Sequence, residues 1–189
     1  MQNRYFLAID INDHVKMNVK VAQRHVKGRE GDVKVVEAKN LHFTVRFLGN
    51  LSGEQVKRVI DALKPLLEDE ISSNVSVQGL GFFGAPNVPR VIWAGVSQGK
   101  SYIEGLFARI SKKLDEIGLK TEEKEVFPHI TIARVRSEKN INMLKEIISK
   151  ERESFYGETL VDAVKLKSST LTPEGPVYSD VAVFPLRKL

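Results

Sequence analysis

The chain has 189 residues, 42% of them hydrophobic, with a net charge of +5 and a pI near 9.3. That is enough apolar content for one domain of two lobes with a real core, and the absence of cysteine excludes disulfides, zinc–thiolate sites, iron–sulfur clusters and thiol nucleophiles. The mild positive balance suits a polyanionic partner without requiring one.

The opening residues, MQNRYFLAID, have neither the long apolar stretch nor the small-residue cleavage site of a signal peptide. No apolar run approaches the length of a membrane span. A soluble, cytoplasmic protein is expected. RYFLAI (4–9) predicts a strand, and Ile11, Val15, Val19, Ala22 and Val26 mark an amphipathic helix over 11–26. VKVVE (33–37) is β-branched and short, a second strand. In LHFTVRFLG (41–49), Leu41, Phe43, Val45 and Phe47 alternate with His42, Thr44 and Arg46, which predicts a strand with its polar set turned away from the core.

Gly49 and Asn50 break that strand. Ser52 and Gln55 have the spacing of a capping box, and Val56, Val59, Ile60, Leu63 and Leu67 give the helix stripe behind it, with Pro65 leaving its end open. Strands are expected over 74–84 and 90–96, joined hairpin-fashion by APNVP. A helix follows over 101–117, stopped by Gly118. The charged loop KTEEKE leads to the strand FPHITIARV. Ser137 is expected to open a third long helix carrying Ile141, Leu144, Ile147 and Ile148. LVDAVKLKSSTL and VYSDVAVFPL read as two closing strands around the turn TPEGP. The order of elements is not a strict βαβ alternation, so the expected class is α+β with antiparallel sheets. GLGFFG (79–84) has the wrong spacing for a phosphate-binding loop and no helix after it.

An internal repeat carries the chemistry. HFTV followed by SGEQ, and HITI followed by SEKN, both place His-x-Thr on a strand ahead of Ser and an amphipathic helix. Two such matches are not expected by chance from four histidines and six threonines. The repeat suggests two similar lobes that each give one motif to a shared cleft. Two imidazoles with ordinary pKa values near ~6.5 supply a base and an acid at neutral pH. Two threonine hydroxyls hold non-bridging phosphate oxygens and stabilise the charge that grows there. Such a site clamps a phosphodiester and needs neither metal nor cofactor. A metal centre would need further ligands, and His14 and His25 lie on the first predicted helix, about three turns apart. No G-x-S-x-G elbow points to a serine nucleophile.

Arg46 shares the face of His42 and Thr44 and is a candidate substrate contact. Arg134 is another, although ideal alternation sets it opposite His129 unless the strand bulges. Phe82, Phe83 and Trp93 are either base-stacking groups or, more commonly, core.

HFTV and HITI resemble the paired HxTx motifs of the 2H phosphoesterases. Within them the chain is most similar to the RNA 2′,3′-cyclic phosphodiesterases, also called 2′-5′ RNA ligases. RYFLAID, LHFTVRFLG, PRVIWAGV, FPHITIARV and LKSSTLTPEGPVYSDVAVFPL each resemble a family block, so the likeness spans nearly the whole chain. The resemblance implies one bilobal domain over residues 1–189, with pseudo-twofold symmetry, two antiparallel sheets around a cleft and helices outside. It implies His42 as proton donor, His129 as proton acceptor, and Thr44, Thr131 and Arg134 on the phosphate, with no metal. The implied partner is RNA ending in a 2′,3′-cyclic phosphate, tRNA fragments among the candidates, handled by a monomer. The implied reaction leaves a 2′-phosphate, and its reverse joins RNA ends without ATP. A non-catalytic RNA-end-binding module, and a phosphodiesterase of a small cyclic nucleotide or ADP-ribose cyclic phosphate, stay open as alternatives.

Overall fold

The computed structural model describes residues 4–27, 32–85, 88–120, 127–173 and 175–188. Its elements, in chain order, are β1 (Arg4–Asp10), α1 (Asp13–Lys27), β2 (Val33–Val35), a 3-10 turn at Ala38–Asn40, β3 (His42–Asn50), α2 (Gly53–Glu68), β4 (Ser73–Ala85) and β5 (Val88–Val96). They continue with α3 (Lys100–Glu116), β6 (Ile130–Val135), α4 (Ile141–Lys150), β7 (Phe155–Val161), β8 (Ala163–Thr172) and β9 (Gly175–Pro185).

The strands hydrogen-bond in the order β7-β4-β5-β6-β3-β1-β8-β9, with β2 on β6. Each ladder between these strands is antiparallel. This is the α+β architecture expected from the sequence. The order also has a centre. β6 and β3 stand in the middle, and a single residue pair, Phe43↔Ile130, joins them. Four strands of this order lie on either side of that pair, so two similar half-sheets are connected through one bridge.

The helices follow the same symmetry. α2, which comes after β3, packs on β9 of its own half, and α4, which comes after β6, packs on β4 and β5 of its own half. α1 follows β1 and crosses to β2, β6 and β7. α3 follows β5 and crosses to β3, with further contact to β4. The apolar stripes predicted from the sequence are what these helices bury: Val15, Val19, Ala22 and Val26 on α1, Val59, Leu63 and Leu67 on α2, and Ile103, Leu106, Ile110 and Leu114 on α3. Phe43 and Ile130 are fully buried beneath the central bridge.

Ser52 caps α2 as its spacing implied. Its hydroxyl accepts from the Gln55 backbone N–H at 3.2 Å, and the Gln55 side chain accepts from the Ser52 N–H at 2.8 Å. The helix runs past Pro65 to Glu68.

Two expectations are corrected. LVDAVKLKSSTL is not one strand. The chain breaks at Asp162, whose carbonyl accepts from the Leu186 N–H, so that β7 pairs with β4 in one half and β8 pairs with β1 and β9 in the other. Apolar residues flank Asp162 on both sides, which hides the break from periodicity. Ser137 does not open α4. Its hydroxyl takes the Lys139 N–H in a turn, and the helix begins at Ile141 after Asn140 adopts a left-handed φ of 54°. The centre of APNVP and most of KTEEKE lie outside the described residues.

Candidate active site

Both histidines sit where their strands meet at the pseudo-twofold axis. In an antiparallel ladder the Phe43↔Ile130 pair carries His42 across from Thr131 and Thr44 across from His129. All four side chains therefore leave the same face of the central strands, opposite the buried Phe43 and Ile130. The sequence repeat becomes a self-complementary cluster because the two motifs run past each other in opposite directions.

The two imidazoles are held alike. His42 Nδ1 lies 2.8 Å from the carbonyl oxygen of Asn40, and His129 Nδ1 lies 2.7 Å from that of Phe127. A carbonyl only accepts, so each neutral ring carries its proton on Nδ1, and Nε2 is the basic nitrogen. His42 Nε2 is 3.0 Å from Thr44 Oγ1. Aromatic rings fix the orientation of each imidazole. Phe6 and Tyr178 have centroids 5.2 and 5.6 Å from His42. Phe83, Phe127 and Trp93 surround His129 at 4.8, 6.1 and 6.5 Å.

His42 is strongly perturbed. Burial is the largest cause and pushes its pKa down to about 4. The hydrogen bond to Asn40 works upward, Lys167 downward, Asp10 upward, and charge on His129 downward. Asp10 is the cross-strand partner of His42 and belongs to a quartet with Lys165, Lys167 and Asp180. Burial works against the charged form of Asp10, but the two lysines outweigh it and hold its carboxyl below the ordinary range.

A concavity of about 230 Å³ opens beside the paired motifs, lined among others by His42, Thr44, Thr131, Arg134, Lys34 and Tyr178, with His129 outside its lining. Arg134 reaches it because β6 bulges. Trp93 pairs with Thr131 and Ile92 with Ala133, leaving Ile132 unpaired, so Ile132 and Ala133 are both buried and Arg134 turns outward. Ideal alternation would have set it on the other face.

The same device acts in β3 and moves Arg46 the other way. Ala8 pairs with Thr44 and Leu7 with Arg46, leaving Val45 unpaired. Val45 and Arg46 are both buried, and Phe47 is 58% exposed and lines the concavity. Arg46, expected beside His42 and Thr44 as a substrate contact, is only 3% exposed. Its guanidinium donates to the carbonyls of Ser111 and Leu119 at 2.8 and 2.6 Å and pairs with Asp115 at 2.7 Å. It ties β3 to α3 and does not face the pocket.

Residues 3–186 match the AKAP7 2′5′ RNA ligase-like domain. The chain belongs to that family. Two curated relatives match over nearly their whole lengths. The RNA 2′,3′-cyclic phosphodiesterase of Methanothermobacter thermautotrophicus is 32% identical over 98% of this chain and 100% of its own. That of Methanocaldococcus jannaschii is 36% identical over 93% of this chain and 96% of its own. Among solved structures, TT0787 of Thermus thermophilus superposes with a TM-score of 0.81 at 26% identity, covering 98% of each chain. Escherichia coli LigT, crystallised with 3′-AMP, has the same fold, with a TM-score of 0.77 at 19% identity over 98% of this chain and 99% of that one.

Membership of this 2′5′ RNA ligase-like family accounts for the long-range likeness, and the geometry adds residues that sequence reasoning does not single out. Alternation assigns Phe47 to the core, and only the bulge reveals it. Tyr178 and Phe6 arrive beside His42 from β9 and β1, with no local signal for that meeting. Asn40 contributes its backbone carbonyl, which no side-chain pattern can report. Phe83 and Trp93, left open between core and site, stand against His129. Phe82 is partly buried against the core. Gly81, in the stretch GLGFFG, has a packing purpose: a Cβ there would lie 2.2 Å from the Trp93 ring. Among the described residues no helix is long and apolar enough to cross a membrane.

Proposed function

We propose that this chain hydrolyses the 2′,3′-cyclic phosphodiester at the end of an RNA and leaves a 2′-phosphate, without a metal. The observation that supports this best is the pair of imidazoles, each pinned through Nδ1 to a main-chain carbonyl, on strands joined by the Phe43↔Ile130 bridge. Family membership and the name carried by the archaeal relatives point the same way. In this reading both lobes of residues 1–189 form one catalytic unit, acting as a cytoplasmic monomer.

The cyclic phosphate sits between Thr44, Thr131 and Arg134, which take its non-bridging oxygens. His129 removes a proton from water through Nε2. The water oxygen bonds to phosphorus, the bond from phosphorus to the 3′ oxygen breaks, and His42 delivers a proton to that oxygen. His42 must be charged at Nε2 for this step, and burial opposes that. The phosphate anion supplies the missing countercharge, so substrate binding loads the acid. When the 5′ hydroxyl of a second RNA replaces water, the same base and acid join the two ends without ATP: the 5′ oxygen bonds to phosphorus, the bond to the 3′ oxygen breaks, and a 2′-5′ linkage results.

The test is turnover of a defined RNA ending in a 2′,3′-cyclic phosphate, with chelator present and the product separated by chromatography. A 2′-phosphate is expected. A 3′-phosphate, or activity lost to chelator, overturns the reading. Binding without product would mark a non-catalytic RNA-end-binding module. Faster turnover of a mononucleotide or an ADP-ribose cyclic phosphate would move the substrate class.

A further inference from the structure

α1 carries its charge differently from the two longer helices. In α2, Lys57 pairs with Asp61 and Lys64 with Glu68. In α3, Lys100 pairs with Glu104 and Lys113 with Glu116. On α1 only Lys16 has such a partner, Asp13 in the first turn at 3.1 Å. Beyond it Lys20, Arg24 and Lys27 follow at intervals of four and three, all exposed, on a helix with no other acidic residue. None of the three has an ion-pair partner among the described residues. Like charges at these intervals repel along one helix face; the helix dipole offsets this for Arg24 and Lys27 in the last turn, but not for Lys20.

The stripe also has a fixed place beside the pocket. Gln23, on the same helix and only 6% exposed, donates from Nε2 to the carbonyls of Val36 and Ile132, each at 2.8 Å. Ile132 is the unpaired residue that turns Arg134 into the pocket, so α1 is bolted to the bulge. Met17, Lys20, Arg24 and Lys27 line an open groove together with Val35, and Val35 lines the pocket as well. Lys34, next to Val35 in sequence, lines the pocket directly across the β2–β6 ladder from Arg134. Two cations in facing positions disfavour the ladder, and both line the pocket. Glu37, an acidic residue in that lining, pairs with Lys39 at 2.9 Å. The cationic surface is therefore continuous from Arg134 through Lys34, over Val35, to Lys27, Arg24 and Lys20. Met17, 65% exposed, gives an apolar contact within it.

We infer that the RNA strand on the 5′ side of the reacting end leaves the pocket past Lys34 and runs along this face of α1, its phosphates held by Lys20, Arg24 and Lys27. The inference rests on the proposed reading that the pocket takes an RNA terminus. From Lys20 to Lys27 the helix rises about 10 Å, room for a few phosphates of an extended strand. Contacts of this kind carry no sequence information. They raise affinity for longer RNA and make that affinity depend on salt.

The experiment compares the parent chain with Lys20→Glu/Arg24→Glu and with the milder Lys20→Gln/Arg24→Gln. Binding is read by fluorescence anisotropy on two labelled RNAs that end in a 2′-phosphate and are not turned over. One is a dinucleotide and the other about ten nucleotides long. The parent should bind the longer RNA at least about tenfold tighter. The Gln pair should lose roughly that advantage, with the logarithmic salt slope reduced by about 1.4 for two lost single-strand phosphate contacts. Dinucleotide affinity and cyclic-phosphate turnover on the dinucleotide should stay unchanged. The inference is overturned if the parent shows no length preference, if the variants keep full affinity for the longer RNA, or if both RNAs weaken equally. Loss of binding to phosphatidylserine vesicles, with RNA affinity intact, would assign the stripe to a membrane instead. A parent chain that turns over no cyclic phosphate, yet shows the length and stripe dependence, would sink the proposed reaction and leave this inference standing.

Discussion

Phe47 and Arg134 occupy equivalent places. Each follows its histidine by five residues, and each is turned into the cleft by one unpaired residue, Val45 in β3 and Ile132 in β6. The pseudo-twofold axis thus sets an apolar ring on one side of the pocket and a guanidinium on the other. That asymmetry gives a symmetric scaffold a polarity, with charge gathered on the half that carries His129.

Arg134→Gln should lower kcat/KM on a cyclic-phosphate RNA by roughly 10²-fold, the scale of one lost charge-stabilising donor. Its side chain is exposed, so the melting temperature should hold. Arg134→Lys should recover part of the loss, since it keeps the charge without the planar fork. Equal kcat/KM in parent and Gln variant would remove Arg134 from the phosphate site.

His42→Ala and His129→Ala should each lower turnover by roughly 10²–10⁴, and the parent pH–rate profile should be bell-shaped. A profile flat from about pH 5 to 8 would exclude two histidines titrating in the limiting step.

The His42 imidazole should titrate near about 4 in the free chain, as read by NMR of the labelled ring, and should move upward when inorganic phosphate fills the pocket. The sign for stability is set by the same shift. Between about 6.5 and about 4 the unfolded chain binds this proton and the folded chain does not. Stability from this group is complete above the upper value and is lost as pH falls through the lower one. His42→Asn should flatten that part of the curve. An unchanged acid limb in the variant would show that other groups carry it.

Arg46→Ala should destabilise the fold by about 3 kcal/mol, because the carbonyls of Ser111 and Leu119 lose their donor and a large buried side chain leaves a gap. Asp115 is half exposed and keeps water as a partner. KM measured well below the melting temperature should be unchanged. A raised KM with unchanged stability would return Arg46 to the pocket.

Gly81→Ala should act on His129 at a distance. The added methyl meets the Trp93 ring, which packs on Phe127 with centroids 4.8 Å apart, and the Phe127 carbonyl holds His129. Turnover should fall by about tenfold while phosphate affinity, which the proposed reaction assigns to the threonines and Arg134, holds. Pairing with Trp93→Phe should recover part of the loss. Full activity in the single variant would show that the ring yields without moving the imidazole.

The sequence by itself determined most of the elements and the candidate site residues. Apolar periodicity set the four helix stripes, the capping box set the start of α2, and the repeated His-x-Thr on two strand patterns selected His42, Thr44, His129 and Thr131. These signals are local, each residing in a window of a few residues. What lay beyond reach was non-local. Period-two alternation holds until a strand carries an extra residue, and a bulge is a property of two paired strands. Alternation therefore placed Arg46 in the cleft and Phe47 in the core, the reverse of what the β1–β3 register does, and it set Arg134 on the wrong face for the same reason. The split at Asp162 is of this kind as well: β7 and β8 are continuous in sequence but pair in opposite halves. The encounter of the two motifs rests on one residue pair, Phe43 with Ile130, that no window of sequence contains. Only the tertiary structure decided which polar residues share the pocket, because register and bulges, and not side-chain type, fix which way each residue of a strand points.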